Sequence, residues 1–136
     1  MLESDMVEIG VAFLRQQKQY HIVKQEVPFL SRCIDVVLLD QEDKVISIEF
    51  KVSKWRHAIE QAKNHKLGAD KAYICLPERK LSDPLSTAIK EAGIGLYFFS
   101  TTSTAVIYEA IPAPEANGNV PFFRKMLLES VSKISE

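Results

Sequence analysis

Two carboxylates interrupt apolar segments of this sequence, and a lysine closely follows one of them. Asp35 lies within the apolar run from Cys33 to Leu39, and Glu49 lies within an alternating segment from Lys44 to Val52. An ionised carboxylate loses hydration in a half-buried strand, so its presence there requires a compensating partner. Lys51 follows Glu49 by two residues, and residues i and i+2 of a strand point to the same face. We therefore expect Glu49 and Lys51 to lie side by side.

The polar turn 40–43 joins these two segments and predicts a hairpin, which brings Asp35 towards Glu49. Two carboxylates on one sheet face suit a hard divalent cation, with Mg²⁺ as the expected ion and Mn²⁺ as the alternative. Such a cation activates a bound water and neutralises charge that grows on a phosphate, and a nearby lysine assists both. The simpler explanation is an exposed Glu49–Lys51 ion pair with Asp35 as a surface acid.

The hydrophobic pattern predicts the elements that must position these residues. It predicts helices at 5–17, 53–67, 82–93 and 121–135, and strands at 20–29, 32–39, 44–52, 71–76, 94–99 and 104–111. The strand 20–29 contains Pro28, which predicts a peripheral strand. The order αβββαβαββα predicts one α/β domain over 1–136, with a mixed central sheet flanked by helices.

Helix ends and one apolar stripe are also predicted. Ser4 or Asp5 is the expected N-cap of the first helix, Ser53 that of the second, and Gly68 the residue that ends the second. The third helix begins at Ser82-Asp83-Pro84, with proline at a permitted first-turn position. The last helix carries one apolar stripe: Phe123, Leu127, Val131 and Ile134.

The motif residues and their placement resemble the PD-(D/E)XK nuclease superfamily, which has the restriction-endonuclease-like αβββαβ core. The resemblance covers about the first two-thirds of the chain and leaves the last strands and helix as extra elements. It is carried by Ile34-Asp35, by Glu49-Phe50-Lys51 and by a following helix that contains Gln61. Ile34 stands where the family usually has proline, and the longer motifs that define subfamilies are absent, so the subfamily stays open.

The resemblance implies roles for individual residues. Asp35 and Glu49 would be metal ligands, and the backbone carbonyl of Phe50 a third. Lys51 would be the catalytic lysine, and Gln61, which would lie beside the active site, a further catalytic residue. Many members use a further glutamate on the first helix, for which Glu8 is the matching candidate.

Charge is distributed unevenly along the chain. The net charge is −1, which by itself does not indicate a nucleic-acid partner. The segment 51–71, however, carries six basic residues against Glu60 and Asp70, a net +4 that leaves −5 for the rest. Phosphate binding would need such an asymmetry, although a solvated helix face explains it equally well. The expected nucleic-acid contacts are Arg32, Lys54, Arg56 and Lys63.

The composition indicates a folded domain, because 46% of the 136 residues are hydrophobic and 26% are charged. No apolar run reaches the roughly 18 residues of a membrane span, and no secretory signal is expected. Cys33 and Cys75 lie in apolar runs without metal-ligand spacing, so we expect two buried free thiols in a cytoplasmic protein.

The expected function is a Mg²⁺-dependent nuclease, as a DNA endonuclease in repair, recombination or restriction and defence. Its substrate would be duplex or branched DNA, and a domain of this size would need a homodimer or a partner protein to position it. One alternative is a nuclease-like DNA-binding or assembly module whose catalysis is weak or lost. Another is a structural α/β protein with an incidental ion pair.

Overall fold

The computed structural model describes residues 1–102 and 104–132 and has the predicted order of elements. Four helices and six strands follow one another along these residues: α1 Glu3–Arg15, β1 Tyr20–Phe29, β2 Arg32–Asp40, β3 Val45–Phe50, α2 Trp55–His65, β4 Lys71–Pro77, α3 Asp83–Ala92, β5 Gly95–Phe99, β6 Ile107–Ile111 and α4 Pro121–Ser132. None of the helices in these ranges is long and apolar enough to cross a membrane.

The six strands form one mixed sheet in which they lie in sequence order. β1, β2 and β3 pair antiparallel, β3, β4 and β5 pair parallel, and β6 returns antiparallel to β5. α2 and α3 form the crossovers that parallel neighbours require. β1 lies at an edge of the sheet, as predicted. Pro28, which has no N–H to donate, is tolerated there because an edge strand has only one neighbouring strand.

Helices cover both faces of the sheet. Tyr73 and Cys75 of β4 pack in a cluster with α1, whereas the alternate residues Ile74 and Leu76 pack in a cluster with α2 and α3. Successive side chains of β4 thus point to opposite faces of the sheet, and both faces are buried. A third cluster joins α4 to the β1–β2 hairpin; it contains Val27, Phe29, Ile34, Leu127 and Val131.

The β1–β2 hairpin has a register shift between Tyr20 and Ile22 and a second distortion at Glu26. Glu26 adopts a left-handed backbone with φ of 50°, and the register places it opposite Asp35. The flanking pairs are Gln25–Val36 and Val27–Ile34. Val23 and Val36, before this point, pack in the α1 cluster, whereas Val27 and Ile34, beyond it, pack in the α4 cluster. The ribbon therefore exchanges its faces at Glu26 and Asp35, while the register stays the same on either side.

Several predicted helix ends are wrong. α1 begins at Glu3 with Leu2 as its N-cap, so neither Ser4 nor Asp5 caps it. α2 begins at Trp55, and Lys54 in a left-handed conformation takes the N-cap position predicted for Ser53. Tertiary packing decides where these helices begin, because a capping side chain contributes only about 1 kcal/mol. Ser82 does cap α3, accepting the Leu85 N–H at 3.3 Å.

Three further details correct the sequence-based picture. Gly68 does not end α2 in a left-handed conformation, since the C-cap is Lys66. Cys75 is buried as predicted, but Cys33 is exposed because it lies beside the hairpin turn. β6 begins at Ile107, three residues after the predicted Thr104. Ile134 of the predicted α4 stripe lies outside the described residues.

Candidate active site

Asp35 and Glu49 lie together where β2 and β3 stop pairing. The last pair between these strands is Val36–Ile48, and one step further the register sets Asp35 opposite Glu49. There the Phe50 N–H donates to Oδ2 of Asp35 at 2.8 Å. The Asp35 side chain thus accepts a backbone hydrogen bond at the point where the ladder ends, and this bond fixes the carboxylate beside Glu49.

Glu49 is a buried carboxylate that is incompletely satisfied. It is 7% exposed, and its Oε1 atom has no hydrogen-bond partner in the described part of the chain. Burial, and to a smaller extent the charge of the neighbouring Asp35 carboxylate, raises the pKa of Glu49 to about 8. Burial also raises the pKa of Asp35, although the Phe50 N–H opposes the shift. Burial and mutual repulsion therefore disfavour the charged form of both carboxylates, and a bound cation would stabilise that form.

These side chains line an open cleft of about 600 Å³. Of the sequence-predicted residues, the cleft brings together Asp35, Glu49, Phe50, Lys51 and Glu8. Its remaining lining residues come from the start of α1 and from β1: Glu3, Ser4, Val7, Gln25 and Glu26. The cleft thus holds five carboxylates and one lysine ammonium.

The sequence-based predictions did not include Glu3 or Glu26 among the residues of this cleft. The charge of Glu3 acts on both Asp35 and Glu49 and contributes to their raised pKa values. The register of the hairpin places Glu26 opposite Asp35. The two-residue turn that sets this register is Leu30-Ser31, and it lacks the Gly or Asn that usually marks such a turn. A Gly or Asn at the turn would have revealed the pairing from the sequence.

The donor set of this cleft fits a hard divalent cation. Carboxylate oxygens dominate it, and the unpartnered Oε1 of Glu49 is the kind of buried acceptor that a cation satisfies. Within residues 1–102 and 104–132, no three His, Cys, Asp or Glu side chains converge closely enough to hold a metal ion by themselves. Asp35 and Glu49 would therefore share the ion with backbone oxygen or water, which is usual for Mg²⁺.

The other predicted residues lie around the cleft rather than in it. Gln61 and Arg32 line a neighbouring pocket against α2. Arg56 and Lys63 line a shallow depression between α2 and α3, where Arg56 stacks over Trp55 at 4.2 Å. Lys54 is exposed at the start of α2. The roles of these residues stay predictions.

Comparison with known proteins supports the fold. Neither a protein-family model nor a curated protein sequence matches the chain. A protein of unknown function from Silicibacter pomeroyi superposes with a TM-score of 0.68 at 18% identity, over 97% of this chain and 85% of that one. EndoMS in complex with double-stranded DNA superposes with a TM-score of 0.53 at 14% identity, over 74% of this chain and 45% of that one.

The class that these observations define is a mixed α/β fold with the restriction-endonuclease-like αβββαβ core and additional C-terminal strands and helix. This confirms the predicted fold class. Both identities lie below 25%, so the likeness concerns the fold alone. The side chains of the cleft, rather than the fold, determine the chemistry that the protein can perform.

Proposed function

We propose that this protein is a metal-dependent nuclease that hydrolyses phosphodiester bonds of DNA as an endonuclease. The observation that carries the proposal is the Asp35–Glu49 pair, held at the end of the β2–β3 ladder in one cleft with Lys51. The structural likeness to EndoMS, which was solved with double-stranded DNA, supports DNA as the substrate.

The residues of the cleft divide the reaction between them. Asp35 and Glu49 would hold Mg²⁺, with Mn²⁺ as a substitute and the Phe50 carbonyl as a further ligand. The bound ion supplies an activated water and neutralises charge on the phosphate. The Lys51 ammonium orients the attacking water and stabilises the charge that grows on the phosphate oxygens. The oxygen of the attacking water would bond to phosphorus as the bond to the leaving oxygen breaks. The proton that the water loses would pass to solvent, and the leaving oxygen would take up a proton from solvent to become a hydroxyl.

Cleavage assays test this proposal directly. Plasmid and oligonucleotide DNA, incubated with Mg²⁺, Mn²⁺ or EDTA, should be cut only when a metal is present. Asp35→Asn and Lys51→Ala should each lower the cleavage rate by about 100-fold or more while leaving the melting temperature close to wild type. The exposed residues Asp83 and Lys80 provide matched controls, because Asp83→Asn and Lys80→Ala should cut normally. Undiminished cleavage by either site variant would contradict the assignment.

Metal binding has a separate readout that does not require turnover. Mg²⁺ should raise the melting temperature of the wild type, because a ligand that binds the folded state stabilises it. The double variant Asp35→Ala, Glu49→Ala should show no such rise. A rise that persists in the double variant would place the metal elsewhere.

The alternative function is a nuclease-like DNA-binding or assembly module whose catalysis is weak or lost. Such a module would bind the same DNA but leave it uncut with every metal, whereas a nuclease would bind and cut it.

A further inference from the structure

A second pocket lies beside the candidate active site and has no role in the chemistry described above. It measures about 220 Å³ and is enclosed by the β1–β2 turn on one side and by α2 on the other. Pockets for drug-sized ligands usually measure about 300–1,000 Å³, so this one suits a smaller group. Its lining includes Leu30 and Arg32 from the turn and Gln61, Asn64 and His65 from α2.

Two buried polar atoms of this pocket lack partners. Oε1 of Gln61 and Nδ1 of His65 make no hydrogen bond in the described ranges, although His65 is only 6% exposed. Unpaired buried polar groups are uncommon in folded proteins and call for a partner. Burial lowers the pKa of His65 to about 4, so the imidazole is neutral near pH 7. Two uncharged polar side chains therefore line the pocket, each with a buried atom whose hydrogen-bonding capacity the described residues leave unused.

The turn that borders the pocket carries a strained, exposed leucine. Leu30 has a φ of 57°, a conformation that bulky side chains rarely adopt, and its side chain is 52% exposed. Glycine is the usual residue at such a turn position. Because Leu30 is half exposed, its side chain contributes little hydrophobic free energy to folding. Backbone strain of this kind clusters at functional sites.

The pocket is adjacent to the acidic cleft along one strand. Cys33 of β2 lines the pocket and Asp35 of β2 lines the cleft. Two residues of a strand span about 7 Å, which is a short step along a nucleic-acid backbone. Arg32 lies at the same end of β2 and provides a guanidinium for a phosphate next to the pocket.

We propose that this pocket binds one unpaired nucleobase of the substrate, and that Leu30 inserts between the bases next to it. The proposal rests on the proposed function, since it requires a nucleic acid at the acidic cleft. A base is a small, flat and uncharged group whose edge carries donors and acceptors, and these suit the polar side chains of Gln61, Asn64 and His65 in the pocket lining. Apolar side chains that enter a base step separate the stacked bases in other nucleic-acid complexes. The substrate class is therefore DNA with an unpaired nucleotide beside the scissile bond.

Binding measured in EDTA tests the proposal without cleavage. The probes are a short duplex with one bulged 2-aminopurine and the fully paired duplex of the same sequence. The wild type should bind the bulged duplex about tenfold more tightly, since stacking and pocket contacts with one base contribute about 1–3 kcal/mol. The 2-aminopurine fluorescence should change on binding, because the base leaves its stacked surroundings.

Leu30→Gly and Asn64→Trp test the two parts of the proposal separately. Leu30→Gly relieves the strained backbone, so it should melt no lower than the wild type yet lose the preference for the bulged duplex. Asn64→Trp, at an exposed position of α2, should fill the mouth of the pocket and remove the same preference. Leu81→Gly, which removes another exposed leucine away from the pocket, should keep it.

The outcomes separate this inference from the proposed function. Equal affinity of the wild type for the two duplexes, or an unchanged preference in Leu30→Gly, overturns the nucleobase pocket while metal-dependent cleavage can still be observed. Failure to bind either duplex, together with failure to cut DNA, overturns the proposed function and the inference with it.

Discussion

At the scale of single residues, the polar groups with the highest cost of burial mark the two candidate sites. Among residues 1–102 and 104–132, one oxygen of the buried Glu49 and Nδ1 of the buried His65 have no hydrogen-bond partner. A chain selected for stability alone would replace both with apolar residues, because an unsatisfied buried polar group costs about 1–3 kcal/mol. Such exceptions in an otherwise well-packed domain are expected at functional sites.

His65 should make stability depend on pH. Its pKa is lowered by burial to about 4 in the folded protein, against an ordinary value of 6.5. The unfolded chain therefore takes up the proton first as the pH falls. The contribution of His65 to stability is complete above pH 6.5 and is lost between pH 6.5 and pH 4. The loss amounts to about 2–3 kcal/mol.

Urea unfolding of the wild type and of His65→Gln measures this contribution. The difference between their free energies of unfolding should shrink by that amount from pH 7 to pH 4. The difference cancels the opposing titration of Glu49, which both proteins share. A pH-independent difference for His65→Gln would contradict the burial argument.

At the scale of elements, α4 and the β1–β2 hairpin form a unit that holds the second pocket in place. Phe29 of β1 packs edge-on against Phe123 of α4 with ring centroids 5.8 Å apart, and edge-on against His65 of α2 at 6.5 Å. Arg124 of α4 donates to both carboxylate oxygens of Asp70 at 3.0–3.1 Å, and the Val45 N–H donates to Oδ2 of Asp70. These contacts join α4 to the starts of β3 and β4.

Gly68 tests how closely these elements must approach. A Cβ atom there would lie 2.8 Å from the Phe29 ring and 2.9 Å from Leu127. Gly68→Ala should therefore push the hairpin and α4 apart and lower the free energy of unfolding by about 1–3 kcal/mol. Gly118→Ala is the matched control, because nothing lies within 4 Å of its added Cβ. Chemical denaturation measures both, and an equally small effect of the two substitutions would contradict the packing argument.

At the scale of the whole molecule, the net charge of −1 is the sum of a basic segment, 51–71, and an acidic remainder. The +4 of segment 51–71 is not all available for phosphate: Lys66 donates to the Ala92 carbonyl at 3.0 Å and Lys63 lies 3.5 Å from Glu60. The acidic cleft contributes much of the opposing charge, and a bound dication would offset part of it. A small net charge therefore does not argue against DNA.

The salt dependence of DNA binding should separate free cations from those engaged in the fold. Each phosphate contact contributes about 0.9 to the slope of log affinity against log salt. Lys54→Gln removes an exposed cation at the start of α2 and should reduce the slope by about 0.9. Lys66→Gln should leave the slope unchanged, since that ammonium lies on the Ala92 carbonyl. If the two substitutions reduced the slope equally, the lysines would act through the overall electrostatic potential rather than through direct phosphate contacts.

The sequence by itself determined the order of elements and the identity of the candidate catalytic residues. Alternation and helical spacing are local properties of the chain, and a carboxylate inside an apolar strand, as at Asp35 and Glu49, is visible without a fold. Glu8 and Phe50, which the family resemblance implied, also line the cleft.

Only the tertiary structure decided which other groups join them. Glu3 and Glu26 enter the cleft, His65 becomes buried and Cys33 becomes exposed. The second pocket likewise arises from contacts between a hairpin turn and a helix about 30 residues further along the chain. Such contacts depend on strand register, on backbone distortion at Glu26 and on the approach of α4. These are long-range packing effects, which spacing along the sequence does not encode.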